Sequence, residues 1–224
     1  MTVTLKKQLM NEEELLQRCQ LLAGLSFGQL ACELSLNIPI HASRAKGWLG
    51  QAVEIFLGAT AGSKAIPDFH TLGIELKTLP VNHLGKPAES TFVTSISLLT
   101  VGKEKWLTSQ CYSKLKKVLW LPIEGERDIP LPQRRIGSAI LWSPTVEQER
   151  ILAEDWLELT AMIGMGRLEE IHAGIGRYLQ VRPKAANGRS LCYGFDATGN
   201  KVLTLPRGFY LRSSFTATIL ASGE

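Results

Sequence analysis

Two carboxylates and a lysine lie close together in the sequence, around one short apolar segment. Pro67 and Asp68 precede the segment, which itself contains Glu75 and Lys77. If the segment is a β-strand, Glu75 and Lys77 project from one face, roughly 6.6 Å apart at about 3.3 Å rise per residue. Carboxylate oxygens suit Mg²⁺, and a neighbouring ammonium can activate a water molecule or stabilise charge on a phosphate. The spacing therefore favours metal-assisted hydrolysis of a phosphodiester, with Asp68 folded back beside the strand.

The same segment has an ordinary structural interpretation. Leu72, Ile74 and Leu76 would face a core, and charged residues at the alternate positions are usual on the solvated face of an amphipathic strand. A motif this short also arises by chance. The strand alone therefore leaves both the nuclease interpretation and a solvated surface strand open.

The length and charge of the chain limit the possibilities further. With 224 residues, 45% of them hydrophobic and 21% charged, the chain can form one large folded domain or two lobes. Residues 177–224 contain seven Lys or Arg against only Asp196 and Glu224. This C-terminal excess suits contact with a polyanion such as nucleic acid, although a basic solvated surface produces the same pattern.

The cysteines and histidines give no zinc pattern. The cysteines are far apart with no C-x-x-C pair, which argues against a zinc ribbon and indicates small apolar side chains in a reducing compartment. The histidines also lack metal-ligand spacing, although His70 lies close to Asp68 in the sequence. Neither an apolar signal segment nor a run of about 18 apolar residues is visible, so we expect a cytoplasmic protein.

Helix signals dominate the first part of the chain. Asn11 followed by three glutamates is typical of a helix N-terminus, and a second helix is predicted from Ser26. A third helix is predicted over about 47–57, ending at Gly58. On this third helix we expect Glu54 to share a polar face with Gln51, whereas the residues expected to face the core are Trp48, Ala52, Ile55 and Phe56.

The rest of the chain mixes strand and helix patterns. After the strand with Glu75 and Lys77, we predict a strand over 91–98, a helix over 104–117, a buried strand over 136–142 and a long helix from Thr145 to about Ile163. The end is predicted to be rich in strands, over 177–183, 202–205 and 209–220. The pattern predicts an α/β (mixed α+β) fold with a mixed central sheet flanked by helices. We expect an N-terminal lobe of about 1–100, a C-terminal lobe of about 101–224 and a cleft between them.

The motif at Asp68 is part of a wider pattern. Pro67-Asp68 followed by Glu75-Leu76-Lys77 is similar to the PD-(D/E)xK signature of the type II restriction-endonuclease fold. The segments 46–51 with Glu54, 69–78, 181–186 and 205–211 resemble the MutH family, the strand-nicking endonucleases of methyl-directed mismatch repair. The resemblance spans essentially the whole chain, and no motif position departs from the pattern.

The resemblance implies a fold and a specific activity. It implies a restriction-endonuclease-like fold and nicking of the unmethylated strand 5′ to the G of hemimethylated GATC sites. The implied cofactor is Mg²⁺, as one or two ions, in a site that Mn²⁺ or Ca²⁺ can also occupy. The implied protein is a monomer that binds double-stranded DNA, with ATP-bound MutL as its direct activator and MutS, which detects the mismatch, acting indirectly.

Residue roles follow from the same resemblance. Asp68 and Glu75 are expected to bind the metal, and Lys77 is expected to be the catalytic lysine. Glu54 and Lys114 complete the expected catalytic set. The residues expected to contact DNA are Lys46, Gly47, Phe92, Arg182, Pro183, Lys184 and Tyr210.

The chemistry of the expected DNA contacts agrees with these roles. Arg182 can bond guanine O6 and N7, and the carbonyl of Pro183 can accept a hydrogen bond from adenine N6, the atom that methylation modifies. Phe92 and Tyr210 would ordinarily be core aromatics, yet either ring can stack on a base or wedge against its edge. A basic strand end is the alternative interpretation of residues 182–184.

Two other functions are compatible with the sequence. One is a GATC-type restriction endonuclease that cuts both strands, and the other is a DNA-binding module without catalysis. A monomer with one carboxylate–lysine set favours nicking, and the complete set of Asp68, Glu75 and Lys77 argues against a module that only binds. Mg²⁺-dependent cleavage, with identification of the strand that is cut, would distinguish the three.

Overall fold

A computed structural model describes residues 11–39, 42–62, 66–184 and 190–223, excluding the side chains of residues 42–46. It confirms the predicted α/β architecture of helices and mixed sheets. The α-helices are α1 (Glu12–Leu22), α2 (Phe27–Glu33), α3 (Ala42–Leu57), α4 (Gln110–Leu115), α5 (Val146–Gly164) and α6 (Ser213–Ala221). The strands are β1 (Glu75–Val81), β2 (Thr91–Ser95), β3 (Val118–Glu124), β4 (Ile140–Trp142), β5 (Leu179–Pro183), β6 (Cys192–Phe195), β7 (Lys201–Thr204) and β8 (Arg207–Leu211).

The chain groups into two compact units, each made from separate segments. The first unit contains the chain up to Ala88, then Lys117–Trp142, and the end from Leu220. The second unit contains Glu89–Lys116 and Ser143–Ile219. The predicted boundary between the two lobes lies near residue 100, whereas each unit draws on both sides of that position.

The first unit is built on a three-stranded sheet in the order β1–β3–β4. β1 and β3 are parallel, with Glu75 opposite Val118 and Lys77 opposite Trp120, and β4 pairs antiparallel with β3. Helices α1, α2 and α3 cover one face of this sheet with a continuous apolar core. The core includes Leu15, Leu22, Leu30, Leu49, Val53, Phe56, Ile74, Leu76, Leu119 and Leu121.

Local capping explains where the first helices begin. The side chain of Asn11 accepts a hydrogen bond from the N–H of Glu14 at 2.9 Å and so starts α1 where the sequence predicts. Ser26 and Gln29 form a reciprocal capping box at the start of α2. These contacts join residues three apart, so the sequence alone was sufficient to predict both helix starts.

The second unit contains an antiparallel sheet in the order β2–β8–β5 and a separate β6–β7 hairpin. Helix α5 packs against β5 and begins at a capping box of Thr145 and Gln148, as predicted. Trp156 on this helix is almost fully buried. The apolar face of the sheet is also buried, through Leu179, Phe209 and Leu211.

Four predicted elements are wrong in extent or type, and the first is the strand predicted over 91–98, which ends at Ser95. Of the helix predicted over 104–117, only α4 is α-helical. The hydroxyl of Ser109 accepts a hydrogen bond from the N–H of Tyr112 and caps the start of α4. The strand predicted over 136–142 is confined to β4, and Ile136 lies outside it, in an isolated bridge with Ile123. The last segment divides into β8 and α6, with Phe215 and Ile219 buried one helical turn apart.

The structure also tests the predictions for the cysteines and for membrane-spanning helices. Cys19 and Cys111 are buried as expected, and burial raises the pKa of Cys19 to about 12, whereas Cys32 is exposed. All four cysteines are free thiols. Among the described residues, no helix is both long and apolar enough to cross a membrane.

Candidate active site and basic strand surface

Strand β1 brings Glu75 and Lys77 onto one face of the first unit. The Nζ atom of Lys77 donates a hydrogen bond to Oε1 of Glu75 at 2.8 Å, so the predicted projection of both side chains from one face is confirmed. Glu75 is only 3% exposed, and the side chain of Lys77 is 17% exposed. The two charges therefore form a mostly enclosed ion pair.

The environment of this pair differs from the solvated strand face considered above. Leu79 lies on the same face of β1, and the β3 residues opposite Glu75 and Lys77 are Val118 and Trp120. All three of these apolar residues are at most 2% exposed. Both faces of β1 are thus covered, which strengthens electrostatic interactions at Glu75 relative to a solvated strand.

A tight turn carries Asp68 back to the strand. Phe69 and Ile74 form an isolated antiparallel bridge, and Gly73 completes the turn with φ of 66°, a conformation that favours glycine. As a result, Oδ2 of Asp68 accepts a hydrogen bond from the backbone N–H of Leu76 at 2.8 Å. The Asp68 carboxylate therefore lies against the backbone between Glu75 and Lys77.

Helix α3 is joined to the same turn. Backbone N–H groups of Thr60 and Ala61, just beyond α3, donate to the carbonyl of Asp68 at 3.2 and 3.3 Å. Glu54 is partly exposed near the C-terminal end of α3, which packs against β1. The structure thus places Glu54, Asp68, Glu75 and Lys77 in the first unit.

The core-facing side of α3 differs from the prediction at one residue. Ala52 and Phe56 are buried and Trp48 packs on the core as expected, but Ile55 is 47% exposed. The buried stripe instead follows Leu49, Ala52, Val53, Phe56 and Leu57. Ile55 lies outside that stripe because of the angle of about 100° between successive helical residues.

The carboxylates suit a magnesium ion that retains water ligands. Mg²⁺ is commonly held by one or two carboxylates, with water and substrate phosphate at its other positions. Asp68 and Glu75 supply two such carboxylates beside one ammonium. Among the described residues, no group of three or more His, Cys, Asp and Glu side chains is arranged to hold a metal. The metal-binding role of Asp68 and Glu75 stays a prediction.

Three further expected site residues lie on helices α3 and α4. Lys114 is half-buried on α4 and therefore belongs to the second unit. Gly47 is exposed on α3 in the first unit, whereas the side chain of Lys46 lies outside the described residues. The predicted roles of these residues stay predictions.

The other expected DNA contacts form a cluster of cations and aromatic rings in the second unit. Phe92 of β2 lies opposite Tyr210 of β8, with ring centroids 5.3 Å apart and planes at 65°. The Lys184 Nζ is 4.2 Å from the centre of the Phe92 ring, and the Arg182 guanidinium carbon is 5.8 Å from that of Tyr210. The structure thus brings four of the predicted residues together, and Pro183 is exposed between Arg182 and Lys184.

The strand register explains why these rings and cations share a face. Gln180 lies opposite Tyr210, and Arg182 lies opposite Gly208. A Cβ at position 208 would come within 2.8 Å of a ring carbon of Phe92, so a glycine there allows the ring to approach β8 closely. We refer to Phe92, Arg182, Pro183, Lys184 and Tyr210 as the basic strand surface.

Burial alters the acidity of one member of this surface. Partial burial of the Tyr210 phenol raises its pKa, Glu89 raises it further, and the Arg182 guanidinium acts in the opposite direction. The phenol is therefore neutral at physiological pH and can donate or accept a hydrogen bond.

Two supporting residues were missed by the sequence analysis. The buried carboxylate of Asp155 on α5 accepts hydrogen bonds from the N–H groups of Arg177, Tyr178 and Leu179, at 2.8, 2.6 and 2.8 Å. The Ser90 hydroxyl contacts the side chains of β5. Neither contact has a sequence signal, because each joins residues more than 20 positions apart.

Comparisons with known proteins agree with the geometry. A family model described as the DNA mismatch repair enzyme MutH matches residues 57–155, a range that contains Asp68, Glu75 and Lys77. The DNA mismatch repair protein MutH of Escherichia coli strain K12 is 52% identical over 210 residues, which cover 94% of this chain and 92% of the relative. MutH proteins of Escherichia coli O9:H4 (strain HS) and O139:H28 (strain E24377A / ETEC) have the same identity and coverage.

Proposed function

The chain belongs to the MutH family of DNA mismatch repair enzymes, and we propose that it nicks the unmethylated strand of hemimethylated GATC sites, 5′ to the G, with Mg²⁺. Membership confirms the family resemblance noted in the sequence and makes the protein a DNA endonuclease, which is a phosphodiester hydrolase. The observation that carries the proposal is the cluster of Asp68, Glu75 and Lys77 on and beside β1.

The donor chemistry of the cluster supports magnesium. Asp68 and Glu75 would hold the ion through carboxylate oxygens, the hard ligands that Mg²⁺ prefers. Because Glu75 is nearly completely buried, a cation bound beside it would stabilise its charged form more strongly than at a solvated site. When bound, Mg²⁺ supplies Lewis-acid stabilisation of the charge that develops on the phosphate.

The side chain of Lys77 is well placed for the chemical step. In hydrolysis, the attacking water forms a bond to phosphorus and loses a proton, while the bond to one bridging oxygen breaks and the leaving oxygen gains a proton. Lys77, held by Glu75 at 2.8 Å, would orient the attacking water and stabilise the phosphate oxygens. Glu54 and Lys114 are proposed to assist, as the family pattern implies.

Sequence reading is proposed to come from the basic strand surface. Arg182 would bond guanine O6 and N7, the carbonyl of Pro183 would accept from adenine N6, and Lys184 would contact phosphate. Phe92 and Tyr210 would contact base edges. Lys46 and Gly47 are proposed as further DNA contacts.

Activation by a partner is also part of the proposal. We expect a cytoplasmic monomer with low activity of its own, stimulated by ATP-bound MutL, with MutS acting upstream. A partner can raise the population of an active state only by binding that state more tightly than the inactive state. Each tenfold increase in the ratio of active to inactive protein requires a difference of about 1.4 kcal/mol in binding free energy.

A strand-resolved nicking assay tests the proposal. Duplexes with one GATC site, each strand carrying a different fluorescent label, would be prepared unmethylated, hemimethylated on either strand and fully methylated. Each would be incubated with the protein and Mg²⁺, with and without MutL and ATP. We expect a single nick in the unmethylated strand, stimulation by MutL with ATP, and no cleavage in EDTA.

Matched variants complete the experiment. Lys77→Ala should abolish nicking while DNA binding persists, whereas Lys86→Ala, at an exposed lysine of the same unit, should retain it. Cleavage of both strands within one binding event would favour the restriction endonuclease instead. Binding without Mg²⁺-dependent cleavage in the presence of MutL would favour the non-catalytic module, and normal nicking by Lys77→Ala would remove the proposed role of β1.

A further inference from the structure

The hydroxyl of Ser90 contacts two neighbouring side chains of β5. Its oxygen accepts a hydrogen bond from Nε2 of Gln180 at 2.8 Å and another from Nη1 of Arg182 at 3.1 Å. A serine oxygen has two lone pairs, so these two N–H donors use its full accepting capacity. Ser90 therefore links the residue before β2 to strand β5, about 90 positions later in the sequence.

Gln180 and Arg182 differ in their freedom to move. Gln180 is only 7% exposed and lies opposite Tyr210, so its amide is enclosed, whereas Arg182 is exposed at the end of the strand. Alternate residues of a strand share a face, which is why one hydroxyl can reach both side chains. The buried amide fixes the Ser90 oxygen, and that oxygen in turn restrains the exposed guanidinium.

The second restraint on Arg182 is the ring of Tyr210. The guanidinium carbon lies 5.8 Å from the centre of the ring, on a strand that pairs with β8. Such a cation–π contact at a solvated position is weak and permits several guanidinium orientations. The directional hydrogen bond to Ser90 is the contact that selects among them, and it engages Nη1 alone.

We propose that Ser90 is a positioning residue for sequence recognition, which orients the Arg182 guanidinium toward a base; this rests on the proposed function. Bidentate recognition of guanine requires the planar fork to be held in one orientation. Ordering a long, flexible side chain before binding lowers the entropy lost on binding. Ser90 acts through Arg182, and its contribution should appear in discrimination between sequences.

A pair of isosteric substitutions tests this role. Ser90→Thr keeps the hydroxyl, whereas Ser90→Val has the same shape as threonine without it. Single-turnover nicking by the full chain, with Mg²⁺ and the activating partner, would be measured on a GATC duplex and on one in which the first of the two G·C pairs, at the G next to the cut, is replaced by A·T. We expect Ser90→Val to reduce the preference for GATC by about tenfold and Ser90→Thr to retain it.

A double-mutant cycle distinguishes positioning from general weakening. In an Arg182→Ala background, Ser90→Val should have no further effect on the preference, because the residue that it orients is gone. The smaller Ser90→Ala variant should behave as Ser90→Val does, and thermal unfolding of each variant verifies folding. Equal losses on both duplexes, or effects that add in the double variant, would overturn the proposal.

The positioning role of Ser90 and base reading by Arg182 can be tested separately. If Arg182→Ala lowers the preference for GATC but Ser90→Val does not, the positioning role is wrong and base reading by Arg182 stands. If Arg182→Ala keeps the full preference, base reading by Arg182 is wrong and the role of Ser90 falls with it.

Discussion

Oδ2 of Asp68 lies 2.8 Å from the backbone nitrogen of Leu76, the residue between Glu75 and Lys77. This hydrogen bond gives Asp68 a structural task in addition to its proposed metal-binding task. The acceptor oxygen fixes the turn against β1, so substitutions at Asp68 should affect folding and chemistry to different extents. An amide can accept the same hydrogen bond without carrying the charge.

Asp68→Asn should therefore separate the two tasks. The amide oxygen can still accept from Leu76, so we expect nearly unchanged thermal stability, but the loss of a charged ligand should lower the nicking rate by about a hundredfold or more. Asp68→Ala should lower both the rate and the stability. Single-turnover nicking and thermal unfolding of the two variants measure these effects. An Asn variant with near-normal nicking would exclude Asp68 as a charged metal ligand.

Arg182 and Lys184 should respond differently to salt and sequence. Arg182→Ala should cost about 1–3 kcal/mol of discrimination at one base pair. Lys184→Ala, if this lysine contacts phosphate, should weaken binding to all sequences alike and reduce the slope of log K against log salt by about one. Binding titrations on GATC and scrambled duplexes over a range of salt concentrations provide both values. Equal losses on both duplexes for Arg182→Ala would contradict its role in base reading.

Asp155 should matter for the stability of the second unit. Its buried carboxylate satisfies three successive backbone N–H groups where the chain enters β5. In Asp155→Asn an amide N–H₂ would face at least one of these donors, and we expect a loss of about 3 kcal/mol in the free energy of unfolding. Urea denaturation measures the loss, with the exposed Glu158→Gln on the same helix as a control. Equal stability of both variants would show that Asp155 is dispensable.

The sequence predicts best where the determining contacts are local. Ser26 with Gln29 and Thr145 with Gln148 form caps over three residues, and both helix starts were predicted correctly. The turn that returns Asp68 to β1 is also local, because its hydrogen bond joins residues eight positions apart. The basic strand surface could be proposed only through the family resemblance, because its register joins β2, β5 and β8 from distant parts of the chain.

β-Branched residues near the end of the chain led to a wrong prediction of an extended segment where α6 forms. The segment containing Thr216, Thr218 and Ile219 was predicted to be extended, yet it forms most of α6. Packing of Phe215, Thr216 and Ile219 at helical spacing overrides the intrinsic preference of β-branched residues for strands. Likewise, the burial of Glu75 could not be anticipated from alternation, since it depends on how β3 pairs with β1.

The raised pKa of Tyr210 predicts a pH range over which discrimination between methylation states does not change. Burial raises the pKa of its phenol above the ordinary value of about 10. The folded state therefore favours the neutral phenol. The stability that this preference gives to the fold is fully present below the unfolded pKa and is lost only as pH rises through the folded pKa. Between about pH 6 and 9, the ratio of nicking rates on unmethylated and hemimethylated duplexes should be constant in wild type. A change in this ratio that is absent in Tyr210→Phe would indicate ionisation of the phenol.

Tyr210 should contribute to the recognition of adenine methylation. Its ring packs against Phe92 at 5.3 Å and near Arg182, so the phenol lies at the centre of the basic strand surface. Tyr210→Phe removes only the hydroxyl, whereas Tyr210→Ser also removes the ring that can pack against an N6 methyl group. We expect Tyr210→Ser to reduce the rate difference between unmethylated and hemimethylated GATC duplexes, and Tyr210→Phe shows whether the hydroxyl or the ring is responsible. If Tyr210→Ser lowers every rate by one common factor, the residue is structural or contacts phosphate, and discrimination must come from Pro183.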